Sequence, residues 1–242
     1  MSYELKYPGR RESHGQQRCF RSICPVSSDT AQKQKRRFNP PGLTLVAHIP
    51  HEDRRPFREA IDIIKGSGRN FQDCEQLHFT ILGLFAEDLQ NPLDGDTIDN
   101  LISAITEFFR VKPIGRIEVA FDLIRPGVFD REPECGDGTV VAMASEAHDK
   151  IIVEYSKQLA AHLASAYPNL FPKSPARHLR GVWCSLGFFD DPDFEIDEKT
   201  SKAFANAKLM SFSASAPIRE VSVCEFTLKS LADGIVRGVV RL

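Results

Sequence analysis

The sequence predicts an α+β fold of two similar lobes, each a mainly antiparallel sheet with helices on its outer side. Short β-branched apolar runs alternate with amphipathic helical patterns, and the turns between them are too short for most parallel crossovers. The order of strands and helices also nearly repeats within the chain. With 242 residues and 42% hydrophobic content, the chain is long enough to bury a core as one large domain or two small lobes.

The first half of the folded region predicts two strands and two helices. A β-branched apolar run that is closed by a proline indicates a buried strand, and apolar residues at helical spacing indicate a helix. In chain order these elements are a strand at 43–50, a helix at 53–65 that ends at Gly66, a strand at 77–85, and a helix at 95–110 that is capped by Asp96 or Thr97.

The second half predicts five strands and two helices. At 116–125, apolar and polar residues alternate cleanly, which indicates a strand with one solvated face. In chain order these elements are strands at 116–125 and 139–144, a long helix at 149–166, a strand at 181–189, a weak helix at 197–208, and strands at 221–229 and 235–242 that are joined by the turn Asp233-Gly234.

Residues 1–42 form a separate basic arm, which leaves residues 43–242 as a single bilobal domain. Within residues 1–40, nine Lys and Arg residues stand against three acidic residues, whereas the whole chain carries a formal charge of only −2. Such an arm can contact nucleic acid or another acidic surface. The six scattered cysteines have no metal-binding spacing, and no apolar stretch looks like a signal peptide or a membrane span, so we expect a cytoplasmic protein with no membrane partner.

His78-Phe79-Thr80, in the second predicted strand, is the motif that carries chemistry. Residues two apart on a strand point to the same face, so the imidazole of His78 and the hydroxyl of Thr80 lie side by side. Histidine transfers protons near neutral pH, and a hydroxyl donates a hydrogen bond to an anionic oxygen. This pair suits a phosphate ester, although a three-residue pattern alone also fits a histidine that only packs or bonds within a sheet.

The triplet lies within the run Leu-His-Phe-Thr-Ile-Leu-Gly, between two predicted helices. This run resembles the first signature strand of the two-histidine phosphoesterase superfamily. This group includes the 2′,5′-RNA ligases and cyclic phosphodiesterases. In that family, two such strands face each other across a groove, with paired histidines as acid and base and hydroxyls that hold the phosphate. A second, altered copy lies at 182–189, where Ser185 supplies the hydroxyl but Trp183 occupies the position of the second histidine. The resemblance covers residues 43–242.

The resemblance implies that His78, Thr80 and Ser185 form the catalytic set, with no metal and no cofactor. Indole cannot transfer a proton near neutral pH, but Trp183 can stack on a base or ribose. Arg177, His178 and Arg180 lie just before the second motif and are expected to bind phosphate. Substitutes for the missing proton donor include His178, His48, His51 and Tyr155.

Two functions are favoured, and a structural or interaction protein in which both motifs are coincidental is a third interpretation. The first is a metal-independent phosphodiesterase, or a 2′,5′-ligase-like enzyme, that acts on a 2′,3′-cyclic or 2′-linked nucleotide or RNA phosphate, with activity that is impaired by Trp183. The second is a catalytically inactive module on the same fold that binds nucleotide or phosphate. The sequence leaves open whether the chain is an enzyme.

Overall fold

A computed structural model describes residues 37–85, 93–115, 117–126, 139–171, 181–189, 198–228, 231 and 233–242. Most of residues 1–42, the predicted basic arm, therefore lies outside the described residues. The elements in chain order are β1 (Arg37–His48), a 3₁₀ turn (His51–Asp53), α1 (Arg55–Lys65), β2 (Phe71–Asp73), β3 (His78–Phe85), α2 (Gly95–Val111), β4 (Glu118–Pro126), β5 (Thr139–Ala144), α3 (Glu146–Ala166), β6 (Trp183–Phe189), α4 (Glu198–Phe204), α5 (Ala207–Met210), β7 (Ala214–Pro217), β8 (Glu220–Leu228) and β9 (Ile235–Arg241).

The described strands pair antiparallel in one sheet, which confirms the antiparallel α+β prediction. The strand order is β7–β4–β5–β6–β3–β1–β8–β9, and the short β2 adds to β6. Two runs of four strands therefore meet where β3 pairs with β6, the two strands that carry the motifs. The sheet is continuous across this junction, and the two-lobe arrangement stays an interpretation of its two halves.

The helices cover one face of this sheet because each has an apolar stripe. In α1, Phe57 and Ile61 are fully buried, and the Phe57 ring lies edge-on to the Phe121 ring of β4 at 5.3 Å. In α3, Ile152 and Leu159 are buried in the same large core cluster. A smaller apolar cluster of Val46, Cys224, Phe226 and Leu231 lies apart from this core.

Several boundaries differ from the sequence predictions for local reasons. The strand β1 begins at Arg37, within the arm that the sequence predicts to extend to residue 42, and its register with β8 shifts between Arg37 and Gly42. Asp94, rather than Asp96 or Thr97, caps α2, because its carboxylate accepts the Thr97 backbone N–H at 2.7 Å. The predicted helix at 197–208 is divided into two, since Asn206 caps a new helix there. Among the described residues, no helix is long and apolar enough to cross a membrane.

Gly187, the glycine of the second motif, lets β2 lie against β6. A Cβ at this position would come within 2.6 Å of the Phe71 ring and closer still to the Gln72 carbonyl oxygen. We therefore expect Gly187→Ala to lower the free energy of unfolding by about 1–3 kcal/mol, as measured by urea denaturation.

Gly83, the corresponding glycine of the first motif, provides the matched control. A Cβ there meets nothing within 4 Å, so Gly83→Ala should leave stability the same or slightly higher. Equal effects of the two substitutions would contradict the close approach of β2 to Gly187.

Candidate functional site

The two motif strands are neighbours at the centre of the sheet. Phe79 of β3 pairs with Cys184 of β6, and both side chains are fully buried on the helix-covered face. Continuing this antiparallel register by one residue in each direction brings Thr80 opposite Trp183 and His78 opposite Ser185. Because side chains alternate between faces, these four residues share the face that the helices leave open. Cys184, between Trp183 and Ser185, accordingly belongs to the core.

Each motif strand also carries a bulge at the residue after its hydroxyl. The register of β3 with β1 shifts between Thr80 and Leu82, so Ile81 is the extra residue, and its carbonyl oxygen accepts a hydrogen bond from Ser156 Oγ of α3. The register of β6 with β5 shifts in the same way around Leu186, whose carbonyl oxygen accepts the Cys74 backbone N–H at 2.9 Å. Equivalent bulges at equivalent positions support the relation between the two motifs.

The His78 ring is held in one orientation at this centre. Its Nδ1 lies 2.8 Å from the Gln76 carbonyl oxygen. A carbonyl only accepts, so Nδ1 carries the proton and the lone pair of the neutral ring is on Nε2. Burial lowers the pKa of His78 to about 4, since the residue is only 8% exposed. His78 is thus a neutral ring near pH 7 that can accept a proton at Nε2.

A second histidine, His48, lies directly beside His78. The two residues pair in the register of β1 and β3, and their ring centroids are 6.1 Å apart with an edge-on geometry. Burial lowers the pKa of His48, and the Arg54 cation lowers it further, while the Glu220 carboxylate acts in the opposite direction. The guanidinium of Arg54 is held at the end of β1 because its Nε donates to the Ile49 carbonyl oxygen at 2.8 Å.

Trp183 and Ser185 are half-buried on the open face. They pair with Met143 and Val141 of β5, which are buried but lie outside the core cluster beneath the helices. Trp183 therefore does not belong to that core. Val141 in turn pairs with Arg125 of β4, so a guanidinium shares the open face with Ser185 two strands away.

The other residues considered from the sequence fall in different places. Arg177, His178 and Arg180 lie outside the described residues. The Tyr155 hydroxyl donates to the Pro113 carbonyl oxygen at 2.9 Å in the helix layer, far in the topology from the open face. His51 is exposed in the 3₁₀ turn. Among the described residues, no cluster of three His, Cys, Asp or Glu side chains could hold a metal ion.

Sequence reasoning did not single out Arg125 or Glu220 for this face. Arg125 is the last residue of the alternating strand predicted at 116–125. Alternation divides the residues of a strand between two faces but does not show which of these faces the helices leave open. Glu220 lies more than 170 positions after His48 in the chain, and only the pairing of β1 with β8 brings the two together.

The chain is similar to known proteins at the level of the fold. No family model matches the sequence, and no curated protein is significantly similar to it. Among solved structures, TT0787 of Thermus thermophilus is similar with a TM-score of 0.55 and 16% identity, over 83% of this chain and 97% of that one.

Two further structures match over a similar length at lower TM-scores. Kluyveromyces marxianus Usb1 with uridine monophosphate covers 84% of this chain and 98% of its own, with 13% identity and a TM-score of 0.48. The match to Escherichia coli LigT with phosphate covers 84% of this chain and 99% of that one, with 11% identity and a TM-score of 0.45.

The chain is similar in fold to TT0787, and its two motif strands pair at the centre of the sheet. At these identities the similarity concerns the fold and does not extend to activity or substrate.

Proposed function

We propose that this protein is a metal-independent phosphodiesterase that acts on a 2′,3′-cyclic or 2′-linked nucleotide or RNA phosphate. The single observation that carries the proposal is His78, a neutral and oriented imidazole on the face that the helices leave open, with its lone pair on Nε2. A base of this kind takes a proton from an attacking hydroxyl or water.

The hydroxyls beside His78 support a phosphate ester as the substrate. By the register above, Thr80 lies next along β3 and Ser185 lies across from His78 on β6. Both can donate hydrogen bonds to non-bridging phosphate oxygens, on which negative charge is concentrated during the reaction. Arg125, on the same face, adds a positive charge to the field that an anionic substrate meets. Arg177, His178 and Arg180 remain proposed phosphate contacts from the sequence.

A second candidate function, a nucleotide- or phosphate-binding module without turnover, is favoured by Trp183. Its indole is half-buried on the open face and cannot transfer protons, so the second motif has kept a surface for stacking and lost its acid or base. In this alternative, Thr80 and Ser185 hold phosphate and Trp183 holds a base.

The experiment that tests the proposal measures turnover of 2′,3′-cyclic nucleotides and 2′,5′-linked dinucleotides without added metal and with a chelator present. We expect slow turnover of at least one substrate class. Binding is followed in parallel by fluorescence, which reports one position because Trp183 is the only tryptophan in the chain.

The outcomes separate the two functions. Turnover that resists the chelator and disappears in His78→Ala supports the phosphodiesterase. Fluorescence quenching by nucleotides without any turnover supports the binding module instead. A protein that neither turns over nor binds any of these compounds would contradict both.

A further inference from the structure

Among the described residues, the titratable rings of the open face lie on one side of its centre. In the β3 half, His78 has His48 as its partner on the neighbouring strand β1. In the β6 half, the equivalent position is Trp183, whose partner on the neighbouring strand β5 is Met143. The half that lacks its motif histidine therefore also has a thioether beside it, while the other half has two imidazoles.

The geometry of the two imidazoles suits two atoms of one phosphate. Their centroids are 6.1 Å apart, and the planes are inclined by 62°, so the rings are not stacked on each other. A proton-transfer group has to come within about 2.6–3.2 Å of its oxygen. A phosphate that lies against both rings can place a different oxygen near each of them, with Thr80 adjacent on the same strand as His78.

From this geometry we propose that His48 is the second proton-transfer residue of the site and does the work that Trp183 cannot. The inference rests on the proposed phosphodiesterase function and names the residue that completes it. His48 is half-buried beside Arg54, which adds a cation at the rim of the open face.

The chemical step balances with two histidines. A water oxygen attacks phosphorus while its proton passes to Nε2 of His78, and a new P–O bond forms. The bond between phosphorus and one ribose oxygen breaks with its electron pair left on that oxygen, which takes a proton from protonated His48. Exchange with solvent then returns a proton to His48 and removes one from His78. The fixed Nδ1–H of His78 makes it the base. Burial and then the Arg54 cation lower the pKa of His48, which makes its protonated form a stronger acid, while the Glu220 carboxylate acts in the opposite direction.

The assignment predicts a pH profile with an acidic optimum. His78 works when it is deprotonated, so kcat/KM rises with pH through a pKa of about 4. His48 works when it is protonated, so kcat/KM falls again as pH rises through a pKa below the usual 6.5. The charged groups that face His48 are Arg54 after the 3₁₀ turn, Glu220 on β8 and, once protonated, His78 on β3.

The test measures kcat, KM and the pH profile of His48→Gln and His48→Ala on the cyclic nucleotide that the wild type turns over best. We expect kcat to fall by about 100-fold or more, with KM changed much less, and the alkaline limb of the profile to disappear. Added imidazole should restore part of the activity of His48→Ala and none of that of His78→Gln, whose defect lies in the buried base. His51→Gln, an exposed histidine three positions away, is the matched control and should keep wild-type kcat.

The results distinguish this inference from the function on which it rests. If the wild type turns over substrate and needs His78, yet His48→Gln keeps its kcat and its alkaline limb, the role of His48 is overturned and the phosphodiesterase stands. If the wild type turns over nothing, both are overturned. Circular dichroism and the urea midpoint of each variant verify that the fold is retained, and His48→Ala provides a second side chain should His48→Gln be destabilised.

Discussion

Replacement of His78 by alanine is expected to lower kcat/KM by about 10²–10⁴-fold. The imidazole is the base of the proposed reaction, and neither Thr80 nor Ser185 can accept a proton near neutral pH. His78→Gln should be nearly as inactive, because the amide has no nitrogen that titrates. The amide can still donate a hydrogen bond to the Gln76 carbonyl oxygen, so this variant removes the base and keeps that contact. In the wild type, kcat/KM should decline as pH falls through about 4, where the ring becomes protonated.

His162→Gln is the matched control for this prediction. His162 packs against the Phe108 ring at 5.6 Å in the helix layer, on the side of the sheet away from the motif residues. The control should therefore retain wild-type kinetics. Turnover by His78→Ala at the wild-type rate, in protein freed of contaminating phosphodiesterases, would remove His78 from the mechanism.

A second large effect is expected when the missing motif histidine is put back. In the His48→Gln background, the additional substitution Trp183→His should raise kcat by about 100-fold or more. The register of β3 with β6 places residue 183 opposite Thr80 and diagonal to His78, so an imidazole there would face the same phosphate from the other side. A steady-state assay of the single and double variants on one cyclic nucleotide measures the gain.

Trp183→Phe in the same His48→Gln background is the control for this gain. Phenylalanine preserves an aromatic ring on the open face but cannot transfer a proton, so this double variant should stay as slow as His48→Gln. A gain from phenylalanine would mean that removal of the indole bulk, and not proton transfer, had raised the rate. No gain from histidine would mean that residue 183 does not face the phosphate.

The sequence by itself determined the longer elements and the chemistry of one strand. Periodicity located every described helix and strand of six residues or more, because burial of one face imposes a pattern that can be read along the chain. It missed β2 and β7, which are three and four residues long and form only through pairing with β6 and β4. It also placed His78 and Thr80 on one face, since alternation along a strand is a local property.

Only the tertiary structure decided which residues meet across strands. The pairing of β1 with β3 brings His48 beside His78, whereas Tyr155 lies in the helix layer. The pairing of β4 with β5 brings Arg125 to the open face. Such contacts depend on strand order and register, which join residues far apart in the chain. A single sequence specifies them only through the balance of all its packing interactions, and not through any local pattern.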